Sequence, residues 1–201
     1  MSEKTPRIPP LDMEDWGDAQ KEVVMSFIAG LSKDLQDSKE GKNNDLAGLG
    51  LLLNYPELAK VYLPYSSWML RENALSVRDR ELLILRIAST RKCKYEWAQH
   101  VMIALDFGFN DEEIIRVKQG SEAPGWTNLE QHLIKSADEL LERANITDAT
   151  WEVLSQHYDQ RQLLELIYTV GTYDMVAMSL NSTGIPLSVE LKEVLQKHPV
   201  D

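Results

Sequence analysis

Cysteine is almost missing from this chain. Cys93 is the only one in 201 residues, which excludes an intrachain disulfide. No apolar run approaches the length of a membrane span, and no signal-type apolar region follows the first residues. Positive charge is scarce as well: 21 Lys and Arg stand against 32 Asp and Glu, a net charge of −11. That balance repels the phosphates of nucleic acid and the surface of anionic bilayers. A cytoplasmic setting is therefore expected, with neither nucleic acid nor membrane as a partner. An alternating apolar–polar strand pattern is also missing, so the expected fold class is all-α.

What the chain does contain is helical periodicity, capped and punctuated. A chain of this length buries roughly 70% of its unfolded surface, enough for a core without staples. Residues 1–12, with Pro6, Pro9 and Pro10, read as an extended arm; residues 13–201 read as a single all-α domain. Trp16, Val23, Val24, Phe27, Ile28 and Leu31 recur at helical spacing, and Ser32 to Asn44 is polar enough for a loop. Pro56 suits a first helical turn, and Pro64 is expected to kink or divide that helix. Ser76, Asn110 and Thr127 stand at helix starts, the last two followed by Glu113 and Glu130 in capping-box spacing. Gly108 and Gly120 are stops. A long helical stretch from Arg161 to Asn181 is expected to break near Gly171.

Residues 81–108 are the centre of the pattern. Cys93, Glu96, Trp97 and His100 fall within about 100° of arc on one helical face. A thiol, a carboxylate, an indole and an imidazole together suit proton transfer better than packing alone. Histidine titrates near neutrality unless perturbed, which makes His100 a candidate to accept or donate a proton, and Glu96, one turn earlier, is placed to orient the ring or share its proton. Glu81, on the preceding helix, completes a relay. Cys93 sits at a helix N-terminus between Lys92 and Lys94, where a thiolate is favoured. Arg80 or Arg86 would grip a substrate carboxylate with two hydrogen bonds. Each has a plainer reading: a helix-surface Glu/His pair, a packing cysteine and an ion-paired arginine. No motif supplies the further ligands a metal on Glu96 and His100 would need.

Arg80-Glu81-Leu82-Leu83-Ile84-Leu85-Arg86, then Tyr95-Glu96-Trp97-Ala98-Gln99-His100, then Asp111-Glu112-Glu113-Ile114, resemble the carboxymuconolactone decarboxylase family within the alkyl hydroperoxidase D-like superfamily. The core of the resemblance runs over residues 76–120. A second, fainter copy over residues 160–186 echoes it, with Gln162-Leu163-Leu164-Glu165-Leu166-Ile167 opposite residues 81–86 and Asn181 opposite His100. The resemblance implies a helical bundle with a duplicated hairpin, assembled as a homo-oligomer (dimer, trimer or hexamer).

The superfamily's peroxidase branch carries a Cys-x-x-Cys pair, a His four residues later and a Glu twelve residues before. Cys93 takes the first cysteine position and Glu96 the second, while His100 and Glu81 match the other two. The relay is present and the dithiol is not, so a peroxide-cleaving cysteine would lack its resolving partner. The resemblance therefore implies a cofactor-independent lyase acting on a small carboxylated or lactone substrate. His100, Glu96 and Glu81 would handle protons, and Arg80, Arg86, Tyr95, Trp97, Tyr173 and Asn181 would line the substrate site. The alternatives are a thiol-dependent hydroperoxide reductase using Cys93 and a catalytically silent oligomeric binding protein.

Overall fold

Helix ends fall at the caps written in the sequence. The computed structural model describes residues 5–30 and 46–200. Among them are ten α-helices and no strand: α1 (Asp18–Gly30), α2 (Ala47–Leu52), α3 (Pro56–Arg71), α4 (Val77–Thr90), α5 (Lys94–Asp106), α6 (Asp111–Gln119), α7 (Asn128–Arg143), α8 (Asp148–Leu154), α9 (Gln160–Thr183) and α10 (Val189–Lys197). A 3-10 turn, Met13–Asp15, precedes α1. The fold is all-α. Ser76 caps α4 through the Asp79 amide, and both expected capping boxes form at α6 and α7. Gly108 and Gly120 end their helices at positive φ, where a side chain would be strained. The polar stretch from Ser32 to Asn44 lies outside the described residues.

The chain forms two compact units, one of residues 1–72 and 180–188, the other of residues 73–179 and 189–201. In the first, α1 and α2 pack on α3 around Val23, Val24, Leu53, Ala59 and Leu63. The N-terminal arm is bonded down. Arg7 donates its backbone N–H to the Thr183 carbonyl at 2.7 Å, and Leu11 donates to Gly50 at 3.1 Å. A Cβ on Gly50 would lie 2.5 Å from the Leu11 carbonyl, so only glycine lets the arm pass this close. Pro64 does not divide α3, which continues to Arg71. Proline removes a single donor, and the buried residues Leu63 and Met69 hold the helix on both sides of Pro64.

In the second unit α4 lies at the centre and packs on α5, α6 and α7. Its residues Arg80 to Leu85, with Ile87 and Ala88, are buried. A helix apolar on nearly every side belongs inside, and Leu82, Leu83, Leu85 and Ile87 join Trp97, Val101, Ile114, Leu133, Ile134 and Leu166 in one core. Arg78 ties the layers at one end, pairing with both Glu113 and Glu130 over the face of Phe109.

The expected break near Gly171 is absent. α9 runs unbroken from Gln160 to Thr183. An isolated helical glycine costs about 1 kcal/mol, and the buried residues Leu166, Val170 and Ala177 flanking it outweigh that. The second half of the sequence echo is thus one long helix where a repeat of the α4–α5 hairpin was expected.

Candidate functional site

The turn between α4 and α5 sets where the polar residues stand. Lys92 adopts φ +53°, its N–H reaching the Ser89 carbonyl at 3.1 Å while the Cys93 N–H reaches Ala88 at 2.9 Å. These paired bonds form a Schellman motif built on lysine in place of glycine. Cys93 becomes the N-cap of α5, and Glu96 and His100 follow one turn apart on its inner side.

His100 finds its carboxylate on the other helix. Its Nδ1 lies 2.7 Å from Glu81 Oε2, and both residues are buried. Arg80 Nε stands 3.5 Å from the other Glu81 oxygen, so the carboxylate is held between a guanidinium and the imidazole. Tyr173 meets the ring edge-on, with centroids 5.2 Å apart and planes at 88°. With Nδ1–H donated to Glu81, the tautomer is fixed and Nε2 carries the free lone pair. Nε2 has no hydrogen-bond partner among the described residues.

Glu96 does not orient the imidazole. Both its oxygens are buried without a hydrogen-bond partner. Burial, and then the negative charge of Asp174, push its carboxyl well above the ordinary range, which favours the protonated acid. Asp174 is held in place by Arg91, with Nε–Oδ1 2.5 Å and Nη2–Oδ2 3.1 Å. Gln99 lies between Glu96 and His100 in the chain, and its Oε1 is likewise buried without a partner.

Cys93 is fully buried. Burial, followed by the nearby Glu96, pushes its thiol up to about 12. Desolvation thus overrides the helix N-terminus and the two lysines that favoured a thiolate on sequence grounds.

The expected substrate-binding residues separate. Arg86 is committed to structure: it clamps Asp138 at 2.6 and 3.1 Å and bonds the carbonyls of Val117 and Lys118 at the end of α6. Arg80 is buried beside Glu81. Trp97 is a core residue, its indole N–H donating to the His198 carbonyl at 2.8 Å. Tyr95 is buried. Tyr173 touches His100. Asn181 is exposed, on the part of α9 that belongs to the first unit. Asp174, Gln99 and Arg91 escaped the sequence reading, since nothing in local spacing marks which distant helix supplies a neighbour. No cluster of three or more His, Cys, Asp or Glu able to hold a metal occurs among the described residues.

Residues 56–139, which include Glu81 and His100, match the model of the carboxymuconolactone decarboxylase family. That span, less than half of the chain, is similar to this family. Solved structures agree on the fold. An uncharacterized peroxidase-related protein from Ralstonia eutropha JMP134, described as an alkylhydroperoxidase AhpD core, superposes with TM-score 0.75 at 15% identity, covering 100% of both chains. A peroxidase-related protein from Silicibacter sp. TM1040 gives 0.73 at 18% identity, covering 94% of this chain and 97% of its own. A Cys-to-Ala variant of the debrominase Bmp8, in complex with 2,3,4-tribromopyrrole, gives 0.72 at 10% identity over 98% and 99% of the two chains. No curated protein matches the sequence. At these identities the likeness carries the helical architecture and leaves the reaction open. None of the chain's helices described is long and apolar enough to cross a membrane.

Proposed function

We propose that this chain, similar over residues 56–139 to the carboxymuconolactone decarboxylase family, is a cofactor-independent enzyme that moves protons on a small lactone or carboxylated substrate. The observation that supports this most is the 2.7 Å Glu81–His100 pair. Glu81 holds the ring in one tautomer, His100 takes or returns a proton at Nε2, and Glu96, buried with its carboxyl raised above the ordinary range, serves as an acid. Such groups contribute when one waits deprotonated and another protonated at working pH. Arg86 is tied to Asp138 and Arg80 to Glu81, so neither is available as the expected substrate anchor.

A thiol-dependent reductase is disfavoured. Cys93 is buried with its thiol held protonated, and the position of a resolving cysteine is Glu96. The test is turnover of γ-carboxymuconolactone, followed by absorbance, with wild type and His100→Asn in parallel. Loss of substrate with the wild type alone is expected. Equal rates with both would remove His100 from the chemistry, and no turnover with either would exclude this lactone as substrate.

A further inference from the structure

Three polar atoms lie buried and unpaired on neighbouring positions of α5. Glu96 is 2% exposed and Gln99 7%. Glu96 Oε1, Glu96 Oε2 and Gln99 Oε1 have no hydrogen-bond partner among the described residues. Exchanging the oxygen and nitrogen of the Gln99 amide buries a donor in the same place, so either assignment calls for a partner. Buried polar groups are nearly always paired, with protein or with ordered water. Two unpaired ones side by side mark a place where something binds.

Their chemistry says what. Residues three apart on a helix are neighbours, with Cβ atoms about 5–6 Å apart, so one small molecule reaches both heads. A metal ion does not suit the pair. It takes ionised ligands, whereas burial and the charge of Asp174 favour the protonated form of Glu96. No cluster of three His, Cys, Asp or Glu stands ready for one among the described residues. A protonated Glu96 presents one O–H and one carbonyl oxygen, and Gln99 presents a second carbonyl oxygen. The complement is a group that donates twice and accepts once. Water does this, and a buried water makes about three hydrogen bonds.

We propose that Glu96 and Gln99 hold one water molecule between them, and that this water is the first carrier of the Glu96 proton. The water donates to the Gln99 amide oxygen and to the Glu96 carbonyl oxygen, and it accepts the Glu96 O–H. As that proton moves onto the water, one of the water's own protons leaves along its next hydrogen bond. Glu96 becomes a carboxylate, the water is unchanged in composition, and the next acceptor gains the proton. Gln99 is a positioning residue that fixes the direction of this water. The carrier role rests on the acid–base reading above; the binding site does not.

Infrared spectroscopy of the full chain at neutral pH tests both parts. The carboxylic acid carbonyl band of Glu96 is the one that Glu96→Gln removes. It should lie at the lowered frequency of a carbonyl that accepts a hydrogen bond, and move upward in Gln99→Met. On transfer to deuterated water it should shift within the mixing time, because the bridging water exchanges the acid proton. A wild-type band at the frequency of an unbonded acid overturns the site, and slow exchange overturns the carrier role. Stability is the second readout and needs no acid band. Methionine matches glutamine in length and brings no hydrogen-bonding oxygen, so Gln99→Met should lower the midpoint of denaturant unfolding. A raised midpoint overturns the proposal, since removing a dry, unpaired acceptor relieves its cost. A lowered midpoint with no acid band supports the site and overturns the carrier role, together with the acid role given to Glu96 above. The two readings therefore fail separately.

Discussion

Glu81 and His100 reach each other from consecutive helices whose intervening turn is closed by a left-handed lysine, Lys92. The pair is fixed on both sides, by Arg80 behind the carboxylate and by the edge of the Tyr173 ring. Rigid placement of this kind is what an acid–base group requires, since the proton must leave from one atom in one direction.

Glu81→Gln is expected to keep the fold and lose most activity. The amide fills the same space but can offer its N–H toward Nδ1, which favours the other tautomer and removes the lone pair from Nε2. A rate loss of roughly 10²-fold or more is expected, with melting temperature little changed. A rate equal to wild type would show that the carboxylate does not set the tautomer.

Glu96 controls a pH dependence of stability. Folded, it holds its proton more tightly than in the unfolded chain. Below the ordinary value of 4.5 both states are protonated and the residue adds no slope. As pH rises past that value the unfolded chain ionises first, so stability falls until the folded acid also ionises. Glu96→Gln removes this titration. Its melting temperature should exceed that of wild type at about pH 8, the gap closing toward about pH 4. A gap that does not vary with pH would mean that Glu96 is already ionised in the folded protein.

Cys93 should be inert in the native state. With the thiol buried and raised to about 12, a disulfide reagent near neutral pH should label it only after denaturation, when one thiol per chain appears. Cys93→Ala removes one buried heavy atom, at a cost of about 1 kcal/mol by analogy with loss of a methylene. Activity should survive. Rapid native labelling would reopen the thiol-dependent reading.

Arg86 should behave as a structural residue. Arg86→Met breaks the clamp on Asp138 and uncaps two carbonyls at the end of α6, a loss of about 2–3 kcal/mol read from denaturant unfolding. The Michaelis constant should not move. A raised constant with unchanged stability would restore Arg86 as a substrate anchor.

The helices were legible because their signals are local. Ser76, Asn110, Thr127, Gly108 and Gly120 act within a turn of themselves, and the Leu-rich run of α4 is apolar enough to require burial. Glu81 and His100 were legible as members of one relay through the motif spacing, but helical spacing pointed to Glu96 as the residue that orients the ring, a place that Glu81 takes in the structure. Two punctuation marks misled: Pro64 and Gly171 carry local costs that burial on either side overrides. Of the two readings of Cys93, the thiolate fails for a related reason, since its neighbours in sequence are basic while its environment in space is dry. Asp174 beside Glu96, and Asp138 on Arg86, depend on which helices meet, and no short-range pattern encodes that.

Hydrogen exchange into substrate is the most direct test of the central claim. In deuterated water, wild-type protein and His100→Asn are each mixed with a panel of small lactones bearing an acidic carbon, and deuterium incorporation is followed by NMR. Asparagine retains a donor where Nδ1 stood, so Glu81 keeps its partner while the second ring nitrogen is lost. Incorporation catalysed by the wild type and reduced by roughly 10²- to 10⁴-fold in the variant is the predicted result. Equal incorporation by the two proteins, or none by the wild type with any lactone, would contradict the account.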